Sequence, residues 1–233
     1  MNISRVSSGS AVFDKLIEGG YEPDIITTFY GPAGSGKTLA CLLSAISVAK
    51  SKKVVYIDTE GGFSPERLKQ LTKDYQRVLD NMFFLKPTNF EEQKKNFEKL
   101  KEIIDDKIGL IIVDSISMLY RLEMKKDESI YDINRELAQQ VAWLTEIARK
   151  KSIPIIITNQ VYANFDDSSK VNIVGGDVLR YGSKCLIELQ ITPNNLRRAI
   201  LRKHRSLDER DIVFQIKQEG IIEAREGKGF KIF

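Results

Sequence analysis

The sequence is poor in the residues that make staples and metal cages. Its 233 residues include two cysteines, Cys41 and Cys185, and one histidine, His204. Two cysteines this far apart form neither a disulfide framework nor a metal-ligand spacing, and a single histidine argues against structural zinc. Unpaired thiols fit the cytoplasm. No run of 18 apolar residues is present, which excludes a spanning helix. The first residues, Met1-Asn2-Ile3-Ser4-Arg5, lack the apolar core of a secretory signal. Repeats of 20–50 residues and low-complexity tracts are missing too. Net charge is also scarce: 36 basic residues against 32 acidic ones leave +4, a faint pointer to nucleic acid at most.

What remains is the composition of a globular chain, 42% hydrophobic and 29% charged. The length suits one large domain or two small ones. Short apolar runs alternate with helical patterns. Strands are expected at 25–30, 54–58, 82–86, 110–114 and 154–159. The run at 110–114 has the continuous apolarity of a parallel strand buried on both faces. Helices are expected between them. One spans 65–77, opened by Ser64 as N-cap with Pro65 at the first position. Another carries Ile133, Leu137, Val141, Leu144 and Ile147 on one face. After residue 185 the pattern changes to strands without helices, at 185–192, 196–202 and 212–217, with a turn at Pro193-Asn194-Asn195. The fold class is therefore α/β, with a mostly parallel central sheet flanked by helices and antiparallel C-terminal strands.

The strongest chemical signal is Gly31-Pro32-Ala33-Gly34-Ser35-Gly36-Lys37-Thr38, which fits G-x-x-x-x-G-K-[ST] between a strand and a helix. Glycines let backbone amides curl around phosphates, and the helix that follows turns its positive end to the same anion. In such a loop Lys37 reaches the outer phosphates and the Thr38 hydroxyl ligates Mg²⁺. A merely flexible Gly-rich turn would not need Lys-Thr at these places. Asp114 closes the 110–114 strand and suits Mg²⁺ or its water; capping the next segment is the plainer role for it.

Residues 54–68, VVYIDTEGGFSPERL, resemble the second-strand segment of the RecA/RadA-family recombinases of archaea and eukaryotes. Ser7-Ser8-Gly9-Ser10 with Asp14, Leu16 and Gly19-Gly20 resembles the entry to the same ATPase core. Thr158-Asn159-Gln160-Val161 resembles its fifth strand, and Gly175-Gly176 the end of its second DNA-binding loop. Within the family, Gly62-Phe63-Ser64-Pro65 and Lys203-His204-Arg205 resemble a short archaeal paralogue. The resemblance implies a RecA-like P-loop ATPase core over 1–233, without the family's N-terminal helical DNA-binding domain or its Phe-x-x-Ala linker. It implies ATP and Mg²⁺ as cofactors and DNA as a partner. The RadA recombinase, a branched-DNA nuclease and replication proteins are the implied protein partners. Glu60 matches the base that orients the attacking water, Gln160 the sensor of the γ-phosphate, and Arg67 an arginine that stacks on adenine.

The family's DNA-binding loops fall here at about 121–132 and 162–174. The first carries three basic residues against four acidic ones, and the second Lys170 against Asp166 and Asp167. Neither is a basic patch. Tyr162 and Phe165 are available to stack on bases or to pack on their own domain. The positive charge lies instead at Arg197, Arg198, Arg202, Lys203 and Arg205, nine residues without an acid. That cluster reads equally as a DNA contact or as a solvated hairpin edge. His204 reads as structural or as a phosphate contact. After Arg205 the family's Pro-rich ATP cap is replaced by Ser206-Leu207-Asp208-Glu209-Arg210. The expectation is an ATP-binding accessory protein of homologous recombination and DNA repair, with slow, DNA-independent ATP turnover and little strand exchange. Two rivals stand beside it, an active filament-forming recombinase and a KaiC-like regulatory ATPase that leaves DNA alone.

Overall fold

The computed structural model describes residues 4–125, 129–163 and 171–224. Helix α1 (Ala11–Leu16) leads into β1 (Ile26–Tyr30), the phosphate-loop motif and α2 (Lys37–Val48). Strand β2 (Lys53–Asp58) precedes α3 (Pro65–Leu71) and α4 (Tyr75–Asp80), then β3 (Met82–Leu85) and α5 (Phe90–Ile103). Strand β4 (Ile108–Asp114) precedes α6 (Ser117–Glu123) and the long α7 (Ile130–Lys151). After β5 (Ile155–Asn159) come the short β6 (Val161–Ala163) and β7 (Val171–Ile173), then α8 (Gly176–Gly182). The described chain closes with β8 (Cys185–Thr192), β9 (Leu196–Lys203), β10 (Arg210–Lys217) and β11 (Gly220–Glu223).

Nine strands form one sheet in the order β11-β10-β9-β8-β1-β5-β4-β2-β3. From β8 to β3 every pairing is parallel, and from β8 to β11 every pairing is antiparallel. Both faces of the parallel part are covered, as its continuous apolar runs require. In β5, Ile155 and Ile157 belong to the core cluster that holds α5 and α7 residues, while Ile156 belongs to the one on the other face that holds α1 and α2 residues. The carboxyl ends of β1, β2, β4 and β5 therefore meet at one edge, where open α/β sheets bind ligands.

The strand and helix expectations hold at most positions, and β8 has the expected bounds. The helix expected over 65–77 is instead two. Ser64 caps α3 as expected, its Oγ accepting from the Arg67 amide at 3.1 Å. At Thr72 the backbone is extended, φ −152° and ψ 141°, and the Thr72 hydroxyl accepts from the Asp74 amide. A threonine that bonds to local backbone competes with helix propagation. The loop placed at 121–132 is part helix, since α6 runs to Glu123 and α7 starts at Ile130. Much of the segment placed at 162–174 falls outside the described residues. Its ends are β6 and β7, which pair antiparallel.

Candidate nucleotide site

The motif's first glycine sits where nothing larger fits: a Cβ on Gly31 would lie 2.2 Å from the Leu189 carbonyl oxygen of β8. The loop then rises over the start of α2, whose first-turn amides have no intrahelical acceptor. Lys37 Nζ folds back and donates to the Gly31 and Pro32 carbonyls, 2.8 Å from each. Burial pulls its pKa down, while Glu60 and Asp114 push it up. This ammonium is nearly enclosed, and its acceptors are exchangeable for stronger anionic ones. Ser35 Oγ beside it is buried without a hydrogen-bond partner among the described residues.

Asp114, 3% exposed, ends β4 beside the loop. Its Oδ2 accepts from the Tyr56 hydroxyl at 2.9 Å and its Oδ1 from the Thr158 hydroxyl at 2.5 Å. Burial raises its pKa; the bonds from Thr158, Tyr56 and Thr38 act the other way. The carboxylate is thus aimed rather than solvated. Tyr56 and Thr158 fall within segments that resemble the family but carry no role readable from them, and their role exists only because β2, β4 and β5 lie side by side. Asp58, likewise unforeseen, accepts from the Gly62 and Phe63 amides at 3.1 and 3.2 Å and shapes the turn after β2.

Glu60 and Gln160 lie across the cleft mouth and touch. Gln160 Nε2 donates to Glu60 Oε1 at 2.9 Å, and Gln160 Oε1 accepts from Arg121 Nη1 at 2.5 Å. Those two partners orient the amide, because one face meets an anion and the other a cation. On sequence alone Arg121 is only a loop charge. On the opposite wall Arg67 donates to the Lys217 and Gln218 carbonyls at 2.7 Å each, and also to Gln70. One cleft of about 550 Å³ is lined by Ala33, Gly34, Gly36, Lys37, Thr38 and Leu39, by Glu60, Arg67, Gln70, Asp114 and Gln160, and by residues 216–218.

The donor set fits a polyphosphate: an ammonium, helix-start amides and an unpartnered buried hydroxyl. For a cation, Thr38 and Asp114 offer hard oxygen ligands. Among the described residues no group of three or more His, Cys, Asp or Glu could cage a metal. One carboxylate and one hydroxyl match Mg²⁺, which takes one or two carboxylates and completes its shell with phosphate and water.

Most of the basic cluster already has partners. Arg198 pairs with Asp211 at 2.7 Å. Arg202 pairs with Glu188 and Glu209, and Arg205 with Glu22 and Asp24. Lys203 donates to the Arg180 and Ser183 carbonyls. The His204 ring is almost fully enclosed, 4.0 Å from Glu22, and burial lowers its pKa. Arg197 turns instead to the phosphate loop, its Nε donating to the Gly34 carbonyl at 3.1 Å. The Tyr162 side chain and Phe165 lie outside the described residues.

The Glu188–Arg202 pair is expected to matter for stability. Glu188 is 5% exposed, and Gln190 also donates to it. Arg202→Leu removes the carboxylate's ion-pair partner and should cost about 2 kcal/mol, below the fully buried range because Arg202 is itself partly exposed and Gln190 still donates. Adding Glu188→Gln should recover much of the loss in urea unfolding. Equal stability of Arg202→Leu and the parent would refute this.

Comparison with known proteins gives a consistent picture. The family profile described as Rad51 matches residues 1–224. The protein "DNA repair and recombination protein RadB" of Methanobrevibacter smithii is 40% identical over 227 residues, covering 94% of this chain and 95% of the relative. Its namesake in Methanocaldococcus jannaschii is 40% identical over 210 residues, covering 89% and 97%. A crystal structure described as the RadB recombinase superposes with a TM-score of 0.80 at 34% identity, covering 94% of this chain and all of that one.

Proposed function

The chain belongs to the Rad51 family, and we propose that it is an ATP-binding accessory protein of DNA repair and homologous recombination, as the names of its RadB relatives suggest. The carrying observation is the cleft that unites Lys37, Thr38, Asp114, Glu60 and Gln160. In this reading the amides of the 31–38 loop and Lys37 hold the phosphates, and Thr38 and Asp114 hold Mg²⁺. The ion, when bound, neutralises phosphate charge. Glu60 orients the attacking water. Arg67 offers a guanidinium plane to the base.

Gln160 is the switch element. Its side chain holds Glu60 with one end and Arg121 with the other, and its backbone carbonyl accepts from the Val174 amide. A γ-phosphate that competes for the side-chain amide would loosen one of these bonds. Arg121 lies on α6, and Val174 follows β7, so occupancy of the cleft would be passed to both segments that the family uses on DNA. Direct DNA contact through the 197–205 cluster would require most of its charges to exchange partners they already have. The protein would act as one core domain in the cytoplasm, with the RadA recombinase, a branched-DNA nuclease and replication proteins as candidate partners.

ATP turnover and oligomer size, each measured with and without single-stranded DNA, and DNA affinity, measured with and without ATP, test the reading. We expect slow turnover, below about 1 s⁻¹ and thus under the usual enzyme range, unchanged by DNA. Fast, DNA-stimulated turnover with filaments would support the recombinase rival. No effect of ATP on DNA affinity would support the regulatory ATPase.

A further inference from the structure

We propose that Arg197 is a positioning residue for the phosphate loop, a strap from the β8–β9 hairpin that fixes the loop's apex before a nucleotide arrives. The hairpin is placed for this. Strand β8 lies parallel beside β1, with Tyr30 opposite Glu188. The next residues on each strand are Gly31 and Leu189, whose close approach seats the loop's base on β8. Asn194 and Asn195 both take left-handed backbone, φ 61° and 58°, and turn the chain tightly into β9.

Along β9 side chains alternate between faces. Ala199 and Leu201 are buried in the core cluster that also holds α1 and α2 residues. Arg197 shares their parity and therefore their face, the face on which α2 and the loop lie. Arg198 points the other way, to Asp211. Adjacent arginines thus do unrelated work.

The apex needs a strap. Gly34 is exposed and has φ 74°, and nothing lies within 4 Å of where its Cβ would be. The Arg197 Nε bond to its carbonyl supplies a fixed external tie. The guanidinium is itself steadied by Asn195 Oδ1 at 3.3 Å and the Leu196 carbonyl at 3.0 Å. None of these three acceptors is a carboxylate, so they hold the guanidinium without cancelling its charge beside the loop. Tying the carbonyl to Arg197 leaves the loop's amides free for a phosphate, and removes conformations that binding would otherwise have to suppress.

Arg197 has this role only if the cleft takes a nucleotide, as proposed above. Four proteins separate the possibilities by calorimetry with ATP·Mg²⁺ and ADP: the parent, Arg197→Ala, Arg197→Lys and Arg210→Ala. Arg210→Ala removes an equal charge from the next strand, where Arg210 pairs with Glu18. Arg197→Ala should weaken both nucleotides about tenfold, the scale of one charge-assisted hydrogen bond. Arg197→Lys should weaken them nearly as much, because lysine keeps the charge but not the placed donor. Arg210→Ala should stay within about twofold of the parent. Amide exchange at residues 33–36 in the nucleotide-free protein should quicken in both Arg197 variants. Parent-like affinity in Arg197→Ala overturns the proposal, and so does full rescue by lysine, which would reduce the effect to charge. A parent protein that binds no nucleotide overturns the cleft reading and this one together.

Discussion

Lys37→Ala should weaken ATP binding by about 100-fold or more, the scale of two charge-assisted hydrogen bonds lost from an enclosed site. The structure makes this residue unusually separable from the fold. Among the described residues its ammonium bonds to the Gly31 and Pro32 carbonyls alone, and its burial disfavours the charge it carries. The alanine variant should therefore keep its melting temperature within about 3 °C, the equivalent of about 1 kcal/mol at this chain length. ATP affinity unchanged in a folded Lys37→Ala protein would remove the nucleotide assignment altogether.

Asp114→Asn should move stability and binding in opposite directions. Burial raises the Asp114 pKa, so over the window between its unfolded and folded values the folded chain holds the proton more tightly. Stability from this group is therefore present at low pH and lost as pH rises through the folded pKa. At neutral pH the ionised side chain is a cost, and a neutral amide can still engage the Tyr56 and Thr158 hydroxyls. Asp114→Asn should raise the melting temperature by about 2–4 °C for each kcal/mol relieved. It should also lower the Mg²⁺-dependent part of ATP affinity at least about tenfold. In the parent, that same part should fade on acidification at a higher pH than an exposed aspartate would set, and the variant should show no such fade. Equal Mg²⁺-dependence in the two proteins at pH 7 would exclude Asp114 as the metal carboxylate. Sites that store strain or desolvation for a ligand show this trade as a rule.

Why were Lys37, Thr38 and Asp114 legible in the sequence while Tyr56, Thr158 and Arg121 were not? The first three depend on local spacing: a loop between a strand and a helix, and an acid at a strand's end. The others depend on which strands become neighbours. Thr158 meets Asp114 across 44 positions of chain and Arg121 meets Gln160 across 39, distances that periodicity cannot register. Charge behaves the same way. The basic run at 197–205 has no acid within it, yet Glu18, Glu22, Asp24, Glu188, Glu209 and Asp211 arrive from elsewhere to pair with it or its neighbours. The run's sum was readable and its neutralisation was not. The break at Thr72 was in principle readable, since a helix interior seldom favours a Thr that can bond its own backbone, but Ser64-Pro65 marks only the start of a helix and leaves its end open.

The far wall of the cleft has one more consequence. Residues 216–218 close the cavity that the 33–39 segment opens, and Arg67 clasps the Lys217 and Gln218 carbonyls from between them, across 150 and 151 positions of chain. A ligand seated there would touch both the 33–39 and the 216–218 segments and shorten the effective loop between them, much as a covalent cross-link would. Its binding would then act on the polymer as well as on the pocket, and would steady the last two strands, which lie at the sheet's outer margin.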